Sequence, residues 1–170
     1  MSKELTDSLI NLVFVGIPEC IALTMLMLAF LQLPLIWKKT FLVGITQAIT
    51  VIVFRMVSNS LELPGLHTAA AVITSGLLVS AFWRASRLKA LTCSIIAIVL
   101  LSILEILYYH LLEILFTVNL DQIVQSKLYW VLGGWLHITT LSLAALLIMK
   151  TQWYKKGLHK YTPFNHIGAR

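Results

Sequence analysis

Charge is what this sequence most lacks beside a soluble domain. Its 170 residues include 13 basic and 7 acidic side chains, 12% of the chain, where 59% are hydrophobic; ordinary soluble domains carry roughly 25% charged residues. So few charges cannot cover the exterior of a soluble domain, and so much apolar surface cannot be hidden inside one. That excludes a soluble enzyme, a disordered tail and, despite a net charge of +6, a nucleic-acid-binding domain. Cysteine is scarcer still, with two residues. Cys20 and Cys93 form no CxxC pair, and their expected depths in a membrane differ, so buried free thiols are expected rather than a disulfide. No Gly/Ser linker, internal repeat or low-complexity tract interrupts the chain. There is no HExxH, no GxSxG and no defensible Ser–Lys dyad. The residues therefore recommend no catalytic group, no cofactor and no metal site, and the chain reads as a non-enzyme.

What is present is a set of long apolar runs. Between Asp7 and Lys38 the only charge is Glu19; Lys39 to Glu62 contains only Arg55, and Glu62 to Arg84 contains none. Lys89 to Glu113 contains only Glu105, and Lys127 to Lys150 none. Each interval accommodates the ~20 residues with which a helix crosses ~30 Å of hydrocarbon. The apolar residues run continuously instead of alternating, which excludes a membrane β-barrel. The expected fold is an all-α, polytopic membrane protein. About five transmembrane helices, near 9–33, 40–58, 66–84, 88–112 and 128–150, form a bundle over 1–150, followed by a basic juxtamembrane tail at 151–170. Gly157 and Pro163 should discourage one continuous helix there. The first segment has an acidic start and too long an apolar run for a cleaved signal peptide.

Orientation follows from the basic residues. Ten of the thirteen (Lys38, Lys39, Arg84, Arg87, Lys89, Lys150, Lys155, Lys156, Lys160 and Arg170) fall on one side of such a bundle. Lys3 and Lys127 fall opposite, and Arg55 lies inside a span. The basic side is the cytoplasmic one, so the N-terminus is expected outside and the C-terminus in the cytoplasm of a multi-pass cell-membrane protein. Trp37, Trp83 and Trp153 mark the inner boundary, and Tyr129 and Trp130 the outer one. Topology and attraction to the lipid bilayer account for the positive charge, with no nucleic acid needed.

Three ionisable residues lie within the spans: Glu19, Arg55 and Glu105. Buried charges in hydrocarbon either pair or line a cavity. Alternating helix direction places Glu19 near mid-membrane, Arg55 a turn below the outer end of its helix and Glu105 in the outer third. Tyr108, Tyr109 and His110 lie just above Glu105, His67 opens the third helix at that level, and His137 lies midway down the fifth. Two readings follow. Either Arg55 pairs with Glu19 or Glu105 and only locks helix packing, or Glu19, Arg55, His67, Glu105, Tyr109, His110 and His137 form an intramembrane polar cluster that binds a ligand. Glu105 with His67 and His110 suggests a metal site less readily than a hydrogen-bonded cluster. Pro64-Gly65 closes the outer turn before His67, with glycine supplying the positive φ. Gly133-Gly134 would let helices approach closely, either inside the bundle or at a dimer seam.

The series Ile17-Pro18-Glu19-Cys20, Trp37-Lys38-Lys39, Arg55 and Pro64-Gly65-Leu66-His67-Thr68 resembles a known pattern. It is similar to the N-terminal membrane sensor region of accessory-gene-regulator-like, GHKL-type histidine kinases of Firmicutes. There an R…P…G(I/L)HT element follows the second helix and a glutamate recurs near the position of Glu105. The resemblance covers about residues 9–150. It implies an outward-facing, signal-receiving bundle with Glu19, Arg55, Gly65, His67 and Glu105 at its characteristic positions. The twenty residues after the bundle hold no phosphoacceptor helix, N-box or nucleotide lid, so kinase activity is not implied for them.

Two functions fit these residues. One is a sensory or regulatory module that receives a small-molecule or peptide signal and passes it to a partner, such as a kinase or another membrane protein. The other is a small transporter or substrate-binding membrane subunit built on the Glu19/Arg55/Glu105 pocket. Five helices without a repeat argue against self-sufficient alternating access, although a homodimer would supply two related halves.

Overall fold

A computed structural model describes residues 12–63, 65–116 and 127–160, with the backbone alone at 127–130 and 152–160. Among the described residues every regular element is helical. Helix α1 is Ile17–Phe30, entered through a π-helical turn at Leu12–Gly16. It is followed by α2 (Trp37–Ser60), α3 (Leu66–Trp83), α4 (Arg87–Phe116) and α5 (Lys127–Lys160). Five stretches are long and apolar enough to cross a membrane: Leu12–Phe30, Trp37–Ser60, Leu66–Trp83, Arg87–Phe116 and Val131–Thr151. The expected Pro64 corner, most of the loop near 113–127 and the end of the tail with Pro163 lie outside the described residues.

Local chemistry sets the ends of these helices. Pro18 has no N–H to return to the carbonyl four residues back, and the turn ahead of it is wound as π rather than α. Helix α1 ends where Gln32 turns left-handed (φ 56), with Leu33 N–H donating to Leu28 O at 2.9 Å and Gln32 N–H to Ala29 O at 3.2 Å. Helix α2 closes the same way around Glu62 (φ 52): Leu63 N–H reaches Ser58 O at 3.1 Å, and the Ser58 hydroxyl donates to the carbonyl of Leu63. Gly65 takes the positive φ (86°) expected of it and starts α3. Helix α5 departs from the expected tail: it runs through Gly157 to Lys160. One interior glycine costs a helix only about 1 kcal/mol, too little to stop one already propagating.

Helix α1 is the axis of the bundle. It packs against α2, α4 and α5 and touches α3, whereas α2 and α5 do not meet among the described residues. The other contacts follow chain order, α2 on α3, α3 on α4 and α4 on α5. Every residue from Ala22 to Ala29 is buried, so this helix is enclosed on all sides rather than along one stripe. Of its apolar window 56% is buried, against 28% in α2, α3 and α4 and 33% in α5. The other helices turn large apolar side chains outward, as Ile95, Ile96, Val99, Ile103, Ile106 and Leu107 do on α4. Such an exterior fits contact with a lipid bilayer.

Small residues bring the backbones together. A Cβ on Gly44 would stand 2.5 Å from Ile21 Cγ1 and 3.1 Å from the Ile21 backbone nitrogen, so α1 and α2 cross in near-contact there. Gly76 abuts Leu91 between α3 and α4, where the hydroxyls of Ser75 and Ser94 also hydrogen-bond and Ser94 donates to Val72 O at 2.9 Å. Gly133 faces the ring of Tyr109 and Gly134 faces Val15. The glycine pair therefore seats α5 on α4 and α1 inside the bundle.

These contacts also fix relative direction. Val15 meets Gly134 and Glu19 meets His137, so α1 and α5 run parallel. Lys38, Lys39, Arg84, Arg87, Lys89 and Lys150 consequently gather at one end. At that end Lys39 Nζ donates to Phe82 O at 2.9 Å and lies 5.8 Å from the centre of the Trp83 ring, and Trp83 Nε1 donates to Pro34 O at 2.9 Å.

Candidate functional site

The polar side chains of the spans converge where α1, α4 and α5 meet. Glu19 sits one turn into α1, half-buried, and its Oε2 is 3.9 Å from His137 Nε2. That is too long for a hydrogen bond, whose donor and acceptor stand about 2.7–3.2 Å apart. His137 is 3% exposed, and both of its ring nitrogens are buried without a hydrogen-bond partner. It faces inward because Gly134 and Ile138, on the same side of α5, pack against the core.

Glu105 enters from α4, half-buried and within electrostatic reach of Glu19, His137 and Arg55. One turn on, Tyr109 packs its ring against Gly133, and its phenol feels both Glu105 and Glu19. The neighbouring Tyr108 is used structurally: its hydroxyl hydrogen-bonds Thr140 Oγ1 at 2.6 Å and ties α4 to α5. His67 is half-buried at the start of α3, with Nδ1 shielded from solvent and unpartnered, and lies within reach of the Arg55 charge.

Two expected members stand apart. His110 is 66% exposed at its side chain and pairs with Glu113, one turn along the same helix, at 3.3 Å. It cannot share the inward face of Glu105, because five residues along α4 turn it about 140° away at 3.6 residues per turn. Arg55 is exposed, and among the described residues it has no ion pair, either with Glu19 or with Glu105. Gly44 lies opposite Ile21 in an antiparallel pair, so Arg55, eleven residues further along α2, stands well away from Glu19 along the bundle. The guanidinium acts on the cluster through its field and not by contact.

One polar residue was not anticipated. Gln47 is 1% exposed on the stripe of α2 that includes Val43, Gly44 and Ala48, and neither its amide oxygen nor its nitrogen has a partner. The signal was an amide within an apolar span, where polar groups are costly. Both cysteines are free, Cys20 buried and Cys93 half-buried. Among the described residues no three His, Cys, Asp or Glu side chains are grouped as metal ligands would be.

Comparisons with protein-family models, with curated proteins and with solved structures returned no match.

Proposed function

We propose that the chain is an integral membrane sensory or regulatory module. Oriented with its N-terminus outside and its C-terminus in the cytoplasm, it takes a ligand into the outer half of the bundle and passes a change of shape to a separate partner protein. The observation that supports this reading is His137. A buried imidazole with two unpartnered nitrogens, 3.9 Å from a carboxylate, costs stability that a purely structural bundle has no reason to forgo. The location supports it too, because α1 contacts every other helix and a ligand bridging α1, α4 and α5 would bias the packing of all five. The resemblance to a histidine-kinase sensor region points the same way.

The test uses the full chain in lipid nanodiscs, melted with and without concentrated medium spent by cells that express it. Stabilisation by the medium is expected, following RT ln(1 + [L]/Kd), about 2.7 kcal/mol at a hundredfold excess of ligand over Kd. It should survive His110→Gln, which lies outside the cluster, and disappear in Glu105→Gln. An intact response in Glu105→Gln with a lower basal melting temperature would make the cluster structural. Net accumulation of a solute from the medium inside proteoliposomes would replace sensing by transport.

A further inference from the structure

The polar cluster has a charge that does not balance. Glu19 and Arg55 both act on Glu105, so two carboxylates share one guanidinium that touches neither. With the imidazoles neutral, the ionised cluster is one positive charge short among the described residues. Hydrocarbon on the outer faces of the helices makes such an imbalance costly, and groups in this setting are normally compensated. The missing charge could be met at Glu19 and His137 once the side chains that close Nε2 off from solvent part. An atom about 2.8 Å from both Glu19 Oε2 and His137 Nε2 would bridge their 3.9 Å gap at ordinary hydrogen-bond lengths, making an angle close to 90° at the bridging atom. A neutral imidazole nitrogen and a carboxylate oxygen are both acceptors, so what fits between them is a donor with at least two N–H or O–H bonds.

Resting on the sensory reading above, we propose that Glu19, Glu105 and His137 form a binding site for the protonated amino group of a small organic cation. An ammonium group has three donors and one positive charge. It can give one hydrogen bond to Glu19 and one to the free lone pair of His137, while Glu105 acts on its charge at longer range, and it brings the cluster to neutrality. The ring of Tyr109, packed on Gly133 beside the carboxylates, offers an aromatic wall of the kind that favours cations. A divalent metal is the poorer fit, since no three ligands are grouped for one among the described residues. An anion would add to the existing excess.

The experiment is a set of binding isotherms on the full chain in nanodiscs with three probes of one shape: phenethylammonium, 2-phenylethanol and 3-phenylpropanoate. Saturable binding of the ammonium alone is expected. Glu19→Gln and Glu105→Gln should each weaken it about tenfold or more, the factor that 1.4 kcal/mol represents. Arg55→Gln, which removes the competing charge, should tighten it several-fold. That opposite sign is a result no folding defect produces, and it decides the matter even if Glu19→Gln fails to fold. Adding the amide of Phe-Gly and its N-acetylated form separates the sources: loss of binding on acetylation assigns a peptide amino terminus, and binding of phenethylammonium alone assigns a free amine. Binding of the alcohol or the carboxylate in preference to the ammonium overturns the cation assignment and leaves the sensory reading standing. So does no binding of any probe by a protein that still responds to spent medium. Equal uptake of all three by wild type and variants is partition into lipid and overturns it as well.

Discussion

Trp83 donates its indole N–H to the carbonyl of Pro34, 2.9 Å away and 49 residues earlier in the chain. The bond ties the turn that leaves α1 to the last residue of α3, beside the Lys39–Phe82 contact. Trp83→Phe keeps an aromatic ring there and removes only the donor. A loss of about 0.5–1.5 kcal/mol is expected, the net value of one such hydrogen bond. Denaturant titration of the protein in detergent measures it; an unchanged midpoint would show that the lysine carries the brace alone.

His137→Leu should raise stability. The substitution keeps a side chain of comparable size at a position 3% exposed and removes two buried nitrogens that have no partner. Leaving such a group unsatisfied costs about 1–3 kcal/mol, so a gain within that range is expected in apo protein. A melting temperature below that of the wild type would mean that the imidazole is satisfied in the folded state.

Arg55 tests a different point. Breaking a buried ion pair costs about 3–5 kcal/mol, whereas an exposed charge interacting at a distance couples by about 1 kcal/mol or less. Because Arg55 is exposed and outside ion-pair distance of Glu19 and Glu105, double-mutant cycles with each glutamate should yield only the smaller value. Coupling of 3 kcal/mol or more in either cycle would restore the buried pair.

The sequence made the number of spans legible because each uncharged interval is one crossing long, and charges are the one thing a span excludes. Counting residues from helix ends was enough to bring Glu19, Glu105 and His137 to one part of the bundle. It could not say which way each residue faces. His110 lies little more than a turn above Glu105 on α4 yet points about 140° away at 3.6 residues per turn, and only packing decides which of them turns inward. Nor could it show that the crossing of Gly44 on Ile21 sets Arg55 well away from Glu19 along the bundle. The continuation of α5 through Gly157 escaped because breaking propensity is a local quantity and an established helix overrides it.

Gly44→Ala should be among the most damaging small substitutions. The new methyl meets Ile21 Cγ1 at 2.5 Å, and the backbone behind it cannot retreat. A cost of about 1–3 kcal/mol is expected for such overpacking. Adding Ile21→Ala should recover part of it, since the side-chain clash goes and the backbone contacts at 3.1 and 3.2 Å stay. Full recovery, or none, in the same denaturation assay would show that the helices are not held at this crossing.

Topology is open to direct labelling. In a background without native thiols, Asn59→Cys should react with an impermeant maleimide on intact cells, and Arg87→Cys only after permeabilisation. Both positions are exposed at opposite ends of the bundle. The reverse pattern would invert the orientation.

The enclosed position of α1 has a consequence for how the protein is made. This helix leaves the ribosome before the other four, yet one of its flanks is covered by α5, which follows them all. Until α5 arrives, Val15 and Glu19 face whatever fills that flank, lipid or an assembly factor. The contacts that complete the bundle are thus the ones most distant in the chain, and their closure waits for α5 to be made. A chain interrupted before Lys127 would insert four helices and still lack His137, exposing a carboxylate that the membrane's quality-control proteases could read as the mark of an unfinished protein.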